Sequence, residues 1–533
     1  MAATQLSIEP KPVPTRSPSE LSSDDDKLST STPPSAVPDV EAARGDGKMA
    51  RLTAYLAGIG IETRSLERVQ EDQREQLPLW RLTMRQIFFW ASVNLSFSSL
   101  GTGMLGGLYF TLDFRTSMVI IWLGTALGVS VSATMALVGP KTGLRTMAAS
   151  RFAGGWPGTA IFSILNALTQ LCYAVTTALS GAQALRAINH SLSLIVGIVV
   201  LTVIVMVLAV WGYQFLHMWE RWAWIACFII YCIVLGLGAR GGYDISSRTA
   251  DMDTGRALIG DVLSFLGIMF SVGASWCSIA ADYNMALPAT TPGWVVWGSA
   301  FIGMWLPTAF ACSVSATFMT LTKESYVNAL ETESLGGVVG EILIQGAGGF
   351  GKFLLVLLAF STISANIPNS YSGALCIQSL HPVLMKIPRV FFVVAFTLVY
   401  MVVAIVGREH FSEILSNFSS ILAYYTAFLA AIMFLEIFYF RSRRGPLGSS
   451  TNWDDVTDYS KLPPGYACVA SICVTIPPVV MSMAETWYTG PIAKAVTLPA
   501  SPYGGDLGFE MSAVVATVSY VVFRSIEIKV FKR

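Results

Sequence analysis

Long apolar runs separated by short polar connections follow one another from residue 88 to residue 524. A helix needs ~20 apolar residues to cross the ~30 Å hydrocarbon layer of a bilayer. Twelve runs have about that length: 88–110, 116–138, 160–187, 192–212, 218–238, 258–281, 293–320, 353–378, 389–407, 415–440, 465–485 and 508–524. The pattern predicts an all-α polytopic membrane protein with twelve transmembrane helices. Two of the runs are interrupted. Span one carries Ser96-Phe97-Ser98-Ser99-Leu100-Gly101-Thr102-Gly103 and then Gly106-Gly107, and span six carries Ser271-Val272-Gly273-Ala274-Ser275. Unwound backbone in lipid leaves amide and carbonyl groups unpaired, at several kcal/mol each, unless protein, water or ligand satisfies them. A pair of breaks five spans apart therefore predicts two five-helix halves, with a substrate cavity where the breaks meet.

This divides the chain into an N-terminal tail (1–80), a ten-helix core (81–440), a loop (441–464), two accessory helices (465–524) and a short tail (525–533). Residues 1–50 are rich in Ser, Thr, Pro and Asp. They bury too little apolar surface to offset chain entropy and are expected to be a solvated tail. No basic-then-apolar run marks a cleavable signal in the first 80 residues.

Composition fits the same class, with 53% hydrophobic and 13% charged residues. The formal charge of zero gives no pointer to nucleic acid. With the N-terminus inside, connections and tail on the inner side hold seventeen Lys and Arg against nine outside. The excess of basic residues inside predicts that both termini are cytoplasmic. All eight cysteines fall in expected spans, none in a CxxC pair, and they read as small buried apolar residues.

Several segments resemble the nucleobase:cation symporter family, in particular its fungal purine–cytosine permease branch. They are Gly60-Ile61-Glu62-Thr63-Arg64-Ser65-Leu66-Glu67-Arg68-Val69 before span one, and Gly139-Pro140-Lys141-Thr142-Gly143-Leu144-Arg145-Thr146-Met147 with Ser150-Arg151-Phe152 after span two. Span six ends in Trp276-Cys277-Ser278-Ile279-Ala280-Ala281-Asp282-Tyr283, and span eight contains Ala365-Asn366-Ile367-Pro368-Asn369-Ser370-Tyr371-Ser372. The resemblance is collinear from about residue 58 to 441. It implies a leucine-transporter-like fold of inverted five-helix repeats with helices 1 and 6 broken. It also implies import of purine- or cytosine-type nucleobases driven by a cation, a proton in preference to sodium, with no cofactor. The plasma membrane is the expected location, and no oligomeric state is implied.

A nucleobase is flat, with donors and acceptors on its edge, so its site needs an aromatic face and converging polar groups. Trp276, beside Ser275 at the break, stands where the family places a stacking Trp; its other role is ordinary core packing. Tyr173 and Thr177, with Gly181 beyond, share one face of span three. The family commonly has Trp and then Asn or Gln there, so the short Thr177 hydroxyl replaces an amide. Packing and ligand contact fit this pair equally. Asn366 is expected to meet a base edge, and Asn369, past the kink at Pro368, to bond between helices. Ala365 stands where the family often has a further Asn, which makes the pocket less polar. For the cation, Ser361, Thr362 and Ser364 would supply hydroxyls opposite carbonyls of Ser96–Ser99, unless they bond their own helix. Asp282 would either carry a coupled proton or act as a cap or gate at the inner end of span six, in contact with the basic loop of Lys141, Arg145 and Arg151, for which positive-inside anchoring is the other role. Glu436 is assigned to the inner interface with Arg441.

An enzyme is not expected: four histidines sit near span ends without metal-ligand spacing, and no nucleophile motif stands out. A channel would need a charged ring or filter. The alternatives that remain are a same-fold transporter for another heterocycle, such as a pyridoxine-like or thiamine-like vitamin, and a non-transporting substrate sensor.

Overall fold

The structure is a computed structural model. It describes residue 55 and residues 67–533, apart from 212, 247–248, 251, 449–450 and 502–503. The expected N-terminal tail up to residue 54 and most of the Gly60–Val69 segment lie outside the described residues.

Twelve helices of sixteen or more residues follow one another among the described residues: α1 Leu79–Asn94, α2 Phe114–Ala136, α3 Arg151–Ile188, α4 Leu194–Trp211, α5 Tyr213–Gly238, α6 Arg256–Ala274, α7 Gly293–Ala316, α8 Glu324–Ser379, α9 Arg389–Val406, α10 Phe411–Phe434, α11 Tyr466–Ser482 and α12 Gly508–Phe531. Eight helical stretches are long and apolar enough to cross a membrane, and two shorter apolar helices, Leu194–Val210 and Tyr466–Ser482, add to them. Along α12, Val514, Val518, Val522, Ile526 and Val530 form an exposed apolar stripe at helical spacing, as a lipid-facing surface requires. Five of the cysteines are buried; contrary to expectation, Cys232 and Cys473 are exposed and Cys172 is half-buried.

Local chemistry sets the helix ends. Asp113 caps α2 by accepting the Thr116 N–H at 2.9 Å. Within α3, Gly155 adopts φ 55°, ψ −155°, which separates a first turn from the long span, and Pro157 sits just inside the restart. Helix α8 is three pieces, divided at Ser334 and Gly348, and span eight is the last of them. Past Phe434, α10 continues as a wider turn, Leu435–Phe440, in which the Arg441 N–H reaches back five residues to the Glu436 carbonyl at 2.9 Å.

Helices α3 and α8 form the most extensive pair, and α2 packs along α6. Where α2 crosses α6, Gly128 and Gly273 let the backbones touch. A Cβ on Gly128 would stand 2.0 Å from the Phe270 carbonyl oxygen, and one on Gly273 2.5 Å from that of Thr125. Helices α11 and α12 pack on each other and on α10.

Candidate substrate site between the broken helices

Both spans are broken, though not at every residue expected: Ser271–Ala274 stay helical, so the span-six break begins at Ser275, and Gly106-Gly107 lie in a helical turn. Helix α1 stops at Asn94, Ser96 is extended, and a tight 3₁₀ turn covers Phe97–Gly101 before helix resumes at Leu105–Leu108. Helix α6 stops at Ala274 and gives way to 3₁₀ turns at Ser275–Ser278 and Ala280–Tyr283. The freed backbone groups find protein partners. The Phe97 N–H donates to Ser361 Oγ at 3.0 Å, and the Ser96 carbonyl accepts from Tyr231 at 2.6 Å. The Gly273 carbonyl accepts from Ser132 at 2.9 Å.

Between the breaks lies a cavity of ≈ 90 Å³. Span one contributes Asn94, Ser96, Ser98 and Ser99; span six contributes Ser275 and Trp276; α3 contributes Gln170, Tyr173, Thr176 and Thr177; α8 contributes Ala365 and Asn369; α10 contributes Leu415 and Ser419. The Trp276 indole N–H donates to Asn94 Oδ1 at 2.8 Å, and its ring meets Trp90 edge-on at 5.5 Å. Asn94 is itself held, with its Nδ2 donating to the Trp90 carbonyl at 2.8 Å and Thr308 donating to its Oδ1 at 3.1 Å. Tyr173 packs edge-on against Phe418 at 5.1 Å. Two aromatic residues, Trp276 and Tyr173, and several short polar side chains therefore converge on one small space.

Of the residues singled out in the sequence, Trp276, Ser275, Tyr173, Thr177 and Asn369 line this cavity, whereas Asn366, Pro368, Ser361, Thr362 and Asp282 do not. The two amides of α8 exchange the places expected of them. Asn366 bonds between helices, its Nδ2 donating to the Ala174 carbonyl at 3.2 Å and its Oδ1 accepting from Asn369 at 3.2 Å. Pro368 is buried within α8 behind that pair. Ser361 receives the Phe97 N–H and donates to Leu358 O, and Thr362 donates to Ala359 O. A Cβ at Gly181 would come within 2.5 Å of Thr362 Oγ1, so Thr362 and Gly181 mark the close approach of α3 to α8. Ser364 likewise donates to the Ser361 carbonyl at 2.9 Å, so all three hydroxyls expected at a cation serve backbone. Asp282 accepts the Thr146 N–H at 2.8 Å and lies 3.9 Å from Arg145, outside the cavity lining.

Among the lining residues that the sequence analysis does not single out are two amides, Asn94 and Gln170. Each is an amide within an apolar run, and Gln170, Tyr173 and Thr177 follow the i, i+3, i+7 spacing of one helix face. That placement is the signal that finds them.

The two ends of the bundle differ. At the arginine-rich end, Arg145 donates to the Tyr371 hydroxyl at 2.7 Å and Arg389 lies over the Tyr371 ring at 4.2 Å. Arg68 donates to the Thr142 carbonyl at 2.9 Å and Arg74 to the Pro140 carbonyl at 2.6 Å, fastening the segment before α1 over the loop after α2. Buried Glu436 accepts from Arg441 at 2.8 Å, as expected, and also from Arg524 at 2.8 Å and Tyr520 at 3.0 Å, which ties α12 to α10. At the opposite end lies a polar cavity of ≈ 500 Å³, whose lining includes Tyr109, Gln183, Arg186, Glu333, Arg408 and His410. Gln183 is six residues beyond Thr177 on α3, about 9 Å along the helix.

Residues 79–503 match the family described as permease for cytosine/purines, uracil, thiamine, allantoin. The purine-cytosine permease fcyB of Emericella nidulans is 32% identical over 501 residues, covering 93% of this chain and 95% of that one. The vitamin B6 transporter TPN1 of Saccharomyces cerevisiae is 28% identical over 548 residues, covering 91% of each. Among solved structures, Mhp1, a nucleobase-cation-symport-1 family transporter in a closed conformation with bromovinylhydantoin bound, superposes with a TM-score of 0.65. The identity is 17%, covering 88% of this chain and 96% of that one.

Proposed function

Because this chain belongs to the family of permeases for cytosine/purines, uracil, thiamine and allantoin, and is a transporter rather than an enzyme, we propose that it imports purine- and cytosine-type nucleobases by cation symport, with the proton as coupling ion. The observation that carries this reading is the cavity between the two breaks, where Trp276 is fixed by Asn94 and faces a polar rim. A base slides between aromatic faces, and its edge meets Thr177, Asn369 and the serines of the span-one break. The arginine-rich end faces the cytoplasm with both termini, and the ≈ 500 Å³ cavity faces outside as the way in. The ten-helix core carries transport, α11 and α12 brace it, and the plasma membrane is its place.

Expression in a host lacking nucleobase carriers tests the reading. Initial uptake of radiolabelled cytosine, adenine, hypoxanthine and uracil is measured with and without a protonophore. Saturable uptake that collapses with the proton gradient is the expected result. Uptake that follows a sodium gradient would overturn the proton, and a protein at the cell surface that moves none of the four would overturn the substrate. A second reading, a pyridoxine-like substrate, draws on Thr177 and Ala365, which offer a hydroxyl and a methyl where the family has amides, and on the similarity to a vitamin B6 transporter. Labelled pyridoxine belongs in the same panel.

A further inference from the structure

Gln170 is 1% exposed and lines the cavity between the breaks. Its Nε2 donates to Asn166 Oδ1 at 3.1 Å, and Asn166 in turn donates through Nδ2 to Cys376 Sγ at 3.0 Å. With Nε2 turned to Asn166, the Gln170 amide has its Oε1 on the other side. Gln170 Oε1 is left as a buried acceptor without a protein partner. A buried polar atom left unpaired in a dry interior is costly, and a ligand that supplies the missing donor is favoured over one that does not.

We propose that Gln170 is a specificity-determining residue, and that its Oε1 accepts an N–H from the edge of the bound heterocycle. Two features of α3 carry this beyond the residues already placed in the site. Gln170, Tyr173 and Thr177 share a face, so the acceptor lies beside the Tyr173 ring, on the side away from Thr177. Thr177 offers only a hydroxyl, and an amide two turns earlier on the same helix supplies the carbonyl acceptor that Thr177 lacks. The substrate class follows: a planar heterocycle with an unblocked ring or exocyclic N–H. A ring that is methylated at that nitrogen, or carries an ether or bare ring nitrogen there, leaves Oε1 unpaired and is rejected.

This inference rests on the proposed transport of nucleobase-type heterocycles and deepens it. The test compares wild type with Gln170→Met, which keeps length and apolar bulk but has no acceptor. Inhibition constants are measured for adenine, hypoxanthine and cytosine and for analogues N-methylated at each N–H in turn. In wild type, one methylated position is expected to weaken binding tenfold or more relative to its parent. In Gln170→Met the parent weakens to match, and that gap closes to within about twofold, while the gaps at the other positions persist. Gln170→Leu, which also lacks an acceptor, decides the matter if Gln170→Met fails to reach the membrane. A gap unchanged in either variant would overturn the role of Gln170 while transport itself stands. Wild-type protein at the surface that binds no member of the panel would instead overturn the transport reading, and this inference with it.

Discussion

Asn94 orients Trp276 through one hydrogen bond, and the indole has no freedom to turn its face while that bond holds. Replacing Asn94 with Ala strands the Trp276 N–H and the Thr308 hydroxyl together. At about 1–3 kcal/mol for a buried group left unpaired, KM should rise roughly tenfold to a hundredfold with surface expression preserved, as read by uptake kinetics. The two amides of α8 separate by a different measurement. Asn369→Ala should weaken substrate competition, whereas Asn366→Ala, which breaks the link to Ala174, should lower the melting temperature of the purified protein and leave competition nearly intact. If competition responds to Asn366 and not to Asn369, the placement is wrong. Trp276, Ser275 and Tyr173 are legible in the sequence because a break or a shared helix face ties them to the cavity. Which amide of α8 faces it is not. Three residues at ~100° each leave the two side chains only ~60° apart, and the choice between them falls to the rotation of α8 against α3. Ser361 and Thr362 were equally open, since a helix hydroxyl serves backbone or ligand according to what stands opposite.

At the scale of elements, α10 is fixed to the accessory pair near its arginine-rich end and again at mid-length. Near its arginine-rich end, Glu436 meets Arg524. Further along, the Tyr424 hydroxyl contacts both Glu485 and Asp506, in the connection between α11 and α12. Glu485 is 7% exposed, and burial together with the neighbouring Asp506 carboxylate pushes its pKa up from 4.5 to about 9. A carboxyl raised in this way holds its proton in the folded state when the unfolded chain has already released it. Its stabilising contribution is complete below about 4.5 and is lost as the pH climbs through about 9. The thermal midpoint of the detergent-solubilised protein should therefore fall by a few degrees from pH 5 to pH 9. Glu485→Gln, which mimics the protonated form, should flatten that slope; a slope unchanged by the substitution would sink the assignment. Apolar periodicity makes the existence of these helices legible from the sequence. It does not show that Arg524 crosses to Glu436 over 88 residues, because pairing of that kind is a property of assembly.

For the whole molecule, the two ends of the bundle are held differently. Arg145, Tyr371, Arg389 and Asp282 meet at the arginine-rich end, and a passage opening there would part them. Arg145→Asp and Asp282→Arg should each cut uptake at least tenfold, and the double exchange should recover part of it. No recovery would mean that Asp282 matters for the Thr146 amide it accepts and not for Arg145. The crossing of α2 and α6 at Gly128 and Gly273 has a consequence of another kind. Because it is made of main chain against main chain, no side-chain change can retune it; substitution there can only break it. The cavity differs, since Trp276, Tyr173, Thr177 and Asn369 line it and each can be exchanged for another side chain. A variant library meant to change what that cavity accepts should therefore randomise positions around Trp276 and leave the glycine joint alone.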